Sequence, residues 1–134
     1  MATVCLDASA LIYLIEGEPD VQHHVKSRLA STTTPLVIVV SRLSLLECRV
    51  KPMCDGNASS LARYDELFEQ ENLRVVEIDA AVIDLATQLR AEHGFKTADA
   101  IQLATALSAH ADLLLTGDRQ FIRCPGLHVE VVPA

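Results

Sequence analysis

Along this chain, short runs of continuous apolar residues alternate with longer stretches in which apolar positions recur every three or four residues. The continuous runs are "TVCLD" (3–7), "LVIVV" (36–40), "RVVEI" (74–78), "DLLLT" (112–116) and "VEVV" (129–132). A strand with one wet face alternates apolar and polar side chains, whereas these do not, so they predict a parallel sheet covered on both faces. The periodic stretches predict helices over Ala8 to Glu16, Val21 to Ser31, Arg42 to Met53, Ala58 to Gln70 and Ala98 to Ala109. A further helix is predicted in "DAAVIDLATQLRAEHG", where Val82, Leu85, Ala86 and Leu89 form a stripe and Gly94 supplies the stop. Repeated strand–helix units without a linker, repeat or low-complexity tract predict one three-layer α/β domain over residues 1–134, its central, mostly parallel sheet flanked by helices.

Composition narrows the class. With 50% apolar and 22% charged residues in 134, the chain reads as a soluble globular domain able to bury its own core. Its longest N-terminal uncharged run, "ASALIYLI", has eight residues and no basic segment before it. No membrane span or signal peptide is therefore expected, and a cytoplasmic location is the default. Cys5, Cys48, Cys54 and Cys124 form no C-x-x-C pair and no zinc-finger interval with the histidines, so they are expected as free thiols, mostly in the core. The net charge of −7 argues against a nucleic-acid partner at first reading.

In parallel sheets, ligands bind beyond the carboxyl ends of the strands. Asp7, Ser41, Asp79, Thr116 and Asp118 follow the predicted strands. Asp7, Asp79 and Asp99 each stand where a helix begins and could simply cap it, and Asp118 in "TGDR" could be an ordinary turn residue. Glu47 is less easily explained, because it shares a helix face with Leu43, Leu46 and Val50. If that stripe is buried, the carboxylate needs a salt-bridge partner or a functional cation. Asp99 opens a helix, "TADAIQLATALSA", that is apolar nearly all round, so it is expected to point inward or to the sheet edge. Carboxylates about 4 Å apart repel by about 4 kcal/mol at an effective dielectric of 20, so converging acids call for a metal ion or shared protons.

The segments "VCLDASALIYLIEG", "SRLSLLE", "KTADAIQLATAL" and "LLLTGDRQF" resemble, in this order, the successive motifs of the PIN domain, and specifically of VapC-type toxin ribonucleases. The likeness runs from about residue 3 to residue 132. It implies a PIN-like fold and an acidic tetrad of Asp7, Glu47, Asp99 and Asp118 around Mg2+ or Mn2+, with Ser9 and Thr116 as polar helpers. Asp7 and Asp99 are then the foremost metal ligands, Asp118 completes the site, and Glu47 positions or deprotonates water or binds a second ion. Asp79 matches no catalytic motif and reverts to a cap. The resemblance further implies RNA as substrate, a small antitoxin as partner, and a homodimer. An arginine of the antitoxin could enter the acidic site, and the face of Leu11, Ile12 and Ile15 could meet a partner helix or remain ordinary core.

The donor chemistry agrees with a hard divalent ion, which prefers carboxylate oxygen to sulfur or imidazole. Without the four tetrad acids, 14 acidic residues face 11 basic ones, a net −3, which weakens the electrostatic objection to RNA. Arg42, Arg49, Lys51, Lys96, Arg119 and Arg123 lie near the motifs and could contact phosphates. A haloacid-dehalogenase-like phosphatase would place a second acid two residues after Asp7, where Ser9 stands, and a phospho-receiver domain would need an N-terminal acid cluster. The chain has neither, and no G-x-G-x-x-G or Walker-A loop. A PIN nuclease that is not a toxin and a non-catalytic RNA- or protein-binding module of the same fold are the remaining alternatives.

Overall fold

The computed structural model describes all of residues 1–134. Its elements run β1 (Ala2–Leu6), α1 (Ala8–Glu16), α2 (Pro19–Ala30), β2 (Leu36–Ser41), α3 (Arg42–Cys54), α4 (Ala58–Phe68), β3 (Leu73–Val76), α5 (Ala80–His93), α6 (Thr97–Ser108), β4 (Leu113–Thr116), a 3-10 turn (Arg119–Arg123) and β5 (Val129–Val131). The strands form one sheet in the order β3-β2-β1-β4-β5, and every pair is parallel.

The continuous apolar strands feed two cores because successive side chains point to opposite faces. Val4, Leu6, Ile38, Val40, Leu113 and Leu115 enter one core with Leu11, Val25, Tyr64 and Leu67 of α1, α2 and α4. Cys5, Val39 and Leu114 enter the other with Val82, Leu89, Leu103 and Ala106 of α5 and α6. Each fully buried aliphatic side chain contributes about 1.5–3 kcal/mol. Helix α3 belongs to neither layer alone, since it packs against α1 and α4 on one side and α6 on the other. No helix is long and apolar enough to cross a membrane.

Boundaries differ from expectation where a neighbour decides them. Strand β3 stops at Val76, which pairs with Ser41, the last residue of β2, so Glu77 and Ile78 have no ladder to join. Helix α2 begins at Pro19, in the first turn where a missing N–H costs nothing. Gly94 ends α5 in the left-handed conformation, φ 71°, as its identity predicted. All four cysteines are free thiols, and only Cys54 is exposed.

Candidate active site

The tip of the central strand carries a carboxylate out of water. Asp7 is 4% exposed and caps α1, its Oδ1 accepting from the Ala10 N–H at 2.9 Å and from the Ser9 hydroxyl at 2.7 Å. The Thr116 hydroxyl donates to its Oδ2 at 2.6 Å. Burial pushes the Asp7 carboxyl above the usual aspartate range; the hydrogen bonds from Thr116, Ser9 and Ala10 pull it back, and the charge of Glu47 adds to the rise. Capping and a site role are thus the same geometry seen from two sides.

Thr116 joins this carboxylate to the next acid. Leu6 pairs with Leu115, so the residues one step beyond, Asp7 and Thr116, leave the sheet side by side. The Thr116 hydroxyl also accepts from the Asp118 N–H at 3.0 Å, while the Gly117 N–H donates to Ser9 Oγ at 2.8 Å. Asp118 itself caps the 3-10 turn, taking the Gln120 N–H at 2.8 Å. A side chain at Gly117 would collide with the Tyr13 ring, with a Cβ standing 2.7 Å from Cε2, so this turn admits no other residue without moving Tyr13.

Glu47 has a different setting from the one its sequence face suggested. The buried residues of α3 are Ser44, Cys48 and Pro52, whereas Leu46 and Val50 are more than half exposed and Leu43 and Glu47 are half-buried. Because α3 lies between two layers, its packed face turns toward both helical neighbours and the Leu46–Val50 side is left to solvent. The partner of Glu47 is not a cation. It is the side-chain amide of Gln102, whose Nε2 donates to Glu47 Oε1 at 2.9 Å and to Ser44 Oγ at 2.9 Å. Gln102 is 3% exposed, and its Oε1 has no hydrogen-bond partner, which costs about 1–3 kcal/mol. Sequence reading missed this residue, although a lone glutamine one turn after Asp99 in an otherwise apolar helix was a signal.

Asp99 is the third residue of α6, whose N-cap position belongs to Lys96, so it does not cap. It lines a cleft of about 280 Å³ together with Asp118, Lys96, Gln120 and Arg123. Burial first and the charge of Asp118 second raise the Asp99 carboxyl above its ordinary range, against the pull of Lys96. The four acids are therefore coupled as two pairs, Asp7 with Glu47 and Asp99 with Asp118. None joins an ion pair with Lys, Arg or His. Their oxygens and the two hydroxyls are hard donors suited to Mg2+ or Mn2+, and the uncompensated charge fits a cation. No three His, Cys, Asp or Glu side chains stand close enough to chelate one ion without other ligands, and Mg2+ commonly keeps several waters.

Asp79 is exposed and caps α5 through the Val82 N–H at 3.0 Å, away from these groups. Of the basic residues near the motifs, Arg42 is held by Glu77 at 2.9 Å, Lys51 lies 3.4 Å from Asp55, and Arg49 turns back to the Leu45 carbonyl. Lys96 and Arg123 remain at the acidic cleft; Arg123 lies over the Phe95 ring and bonds Gln120 and the His93 carbonyl. Of the apolar face on α1, Leu11 is core, and Ile15 with Leu14 lines a groove of about 510 Å³ between α1, α2 and α4.

No curated protein sequence matches the chain. Solved structures do resemble it. A chain of the VapBC2 complex of Rickettsia felis, bound to a DNA fragment from its promoter, superposes with a TM-score of 0.80 at 19% identity, covering 96% of this chain and 98% of that one. The sarcin–ricin loop cleaving toxin VapC20 of Mycobacterium tuberculosis gives 0.76 at 18% identity, covering 97% and 99%. A toxin–antitoxin complex of Klebsiella pneumoniae gives 0.74 at 23%, covering 97% and 98%. At such identities the likeness is one of fold. The sequence itself matches the PIN domain over residues 4–127, a span that includes all four acids and both hydroxyls, and the chain belongs to the PIN domain family.

Proposed function

We propose that the protein is a Mg2+- or Mn2+-dependent endoribonuclease acting as the toxin of a toxin–antitoxin pair. The observation that carries this reading is Asp7, a buried carboxylate at the tip of the central strand with hydroxyl and amide partners but no cation, accompanied by Glu47, Asp99 and Asp118. A bound divalent ion supplies the missing positive charge, makes water more nucleophilic and stabilises charge on the scissile phosphate. Asp7 and Asp99 would hold it, with Asp118 reaching it through water and further waters completing the set. Ser9 and Thr116 fix the Asp7 oxygens, and Thr116 ties the backbone of Asp118 to the same point. Glu47 would take the proton of the water that attacks phosphorus, and the P–O bond to the departing ribose oxygen breaks, that oxygen taking up a proton from solvent. Lys96 and Arg123, at the cleft beside Asp99, meet flanking phosphates.

The neighbours described as toxin–antitoxin complexes support a small antitoxin as partner, and the one described as cleaving the sarcin–ricin loop supports RNA as substrate. An arginine of the antitoxin would bind the acids through its planar fork. An amphipathic segment would occupy the groove beside Leu14 and Ile15. The active assembly is a homodimer. Purified protein should cleave RNA with Mn2+ and lose all cleavage in EDTA, and Asp99→Asn should abolish cleavage in a folded protein. Full activity in excess EDTA refutes the metal-dependent reading. Expression alone should arrest growth, with relief by the antitoxin. A folded, RNA-cleaving protein that is harmless without any partner would instead be a PIN nuclease outside toxin–antitoxin control.

A further inference from the structure

Gln102 occupies a position that packing alone would fill differently. It is 3% exposed, on α6 among Ala100, Leu103, Ala104 and Ala106, all fully buried. An apolar side chain here would leave no orphaned group, whereas the glutamine leaves its Oε1 unpaired. Both of its N–H groups are committed to α3, one to Ser44 Oγ and one to Glu47 Oε1, each at 2.9 Å. These are the only side-chain hydrogen bonds between the two helices. Rotating the amide would set Oε1 against the carboxylate, acceptor against acceptor, so the donor must face Glu47. Gln102 lies three positions after Asp99 and Glu47 three positions after Ser44, so each pair shares one helix face. The amide therefore clamps the acid-bearing face of α3 to the acid-bearing face of α6 and leaves Glu47 Oε2 without a protein donor.

We infer that Gln102 is a positioning residue, whose amide fixes the orientation of the Glu47 carboxylate at the acidic site and is retained for that role at the expense of packing. The inference rests on the nuclease reading above. Gln102→Met keeps length and helix preference while removing both donors and the orphaned acceptor. It should lower kcat for RNA by about 10–100-fold, as loss of an orienting partner does, with KM within about twofold, the split expected when ground-state binding is untouched. Its melting temperature should stay at or above that of the wild type. In a Glu47→Gln background the same substitution should change kcat by less than about twofold, because two residues acting through one interaction are not additive.

A second readout needs no catalysis. In the metal-free protein the Gln102 side-chain amide protons should exchange slowly with water and shift in Glu47→Gln. Should Gln102→Met fail to fold, Gln102→Leu serves the same comparison. Unchanged kcat in a folded variant, additive losses in the double variant, a loss confined to KM, or a Gln102 amide exchanging like a free one each overturns the positioning role while leaving the nuclease intact. Wild-type protein that cleaves no RNA with Mn2+ overturns both.

Discussion

Asp7→Asn should stabilise the metal-free protein. The wild-type carboxylate is 4% exposed with no cationic partner, and removing a buried ion recovers several kcal/mol of desolvation. The substitution also weakens three charge-assisted hydrogen bonds, from Ser9, Ala10 and Thr116, by about 1 kcal/mol each. Asparagine can keep the same contacts: its Oδ1 still accepts from Ala10 and Ser9, and its amide can donate to Thr116 Oγ1. The raised carboxyl indicates that desolvation exceeds the hydrogen bonds, so a net gain on the order of 1–2 kcal/mol is expected. In a chain of this size that is about 4–8 °C in Tm. The sign follows from linkage. A carboxyl raised in the folded state contributes its stability in full below the unfolded value of about 3.9 and loses it as pH climbs through the folded value. The Tm difference between Asp7→Asn and wild type should therefore be near zero at pH 4 and largest at neutral pH. Thermal scans in EDTA at several pH values test this, with circular dichroism to verify the fold. Adding Mn2+ should shrink the gap by stabilising only the wild type. A folded Asp7→Asn less stable than wild type at neutral pH, or a gap that ignores pH, refutes the reasoning.

Asp79→Ala should cost about 1 kcal/mol by denaturant unfolding, as loss of a cap does, with cleavage per folded molecule unchanged. Asp118→Asn should do the opposite, since asparagine still caps the Gln120 N–H; equal losses of activity in both folded variants would undo the assignment. Gly117→Ala forces the Tyr13 ring aside and should lower both Tm and cleavage, because the same turn gives its N–H to Ser9. Unaltered cleavage in that variant would mean that the Ser9–Gly117 contact does not hold the site.

The sheet and helices were legible because their signals are local. "LVIVV" reads as a strand covered on both faces whatever lies around it, and Gly94 ends a helix by its own backbone freedom. Of the site, Asp7, Thr116 and Asp118 could be found as polar residues just beyond strands, a rule of parallel sheets that needs no coordinates. Leu46 and Val50 misled because helical period gives a face but not what covers it, and α3 turns a different side to α1, α4 and α6. For the same reason Glu47 stood out by a wrong route, as a carboxylate on a stripe whose Leu46 and Val50 are in fact exposed. Gln102 stayed hidden since its meaning depends on Ser44 and Glu47, more than fifty residues earlier in the chain. The sequence also posed local and site readings as rivals, a cap for Asp7 and a turn residue for Asp118, whereas both side chains cap while standing among the acids.

The strand order has a consequence for how the protein comes into being. β1 pairs on one side with β2, available by residue 41, and on the other with β4, which is not made until residues 113–116. While the chain emerges from the ribosome, its central strand thus waits with one edge open, a template for pairing with other chains. Thr116, the last residue of the strand that covers that edge, is also the one that grips Asp7 and the backbone of Asp118. Covering that edge and joining Asp7 to Asp118 are one event, so a product cut short after α6 would keep an open strand edge and lack that connection.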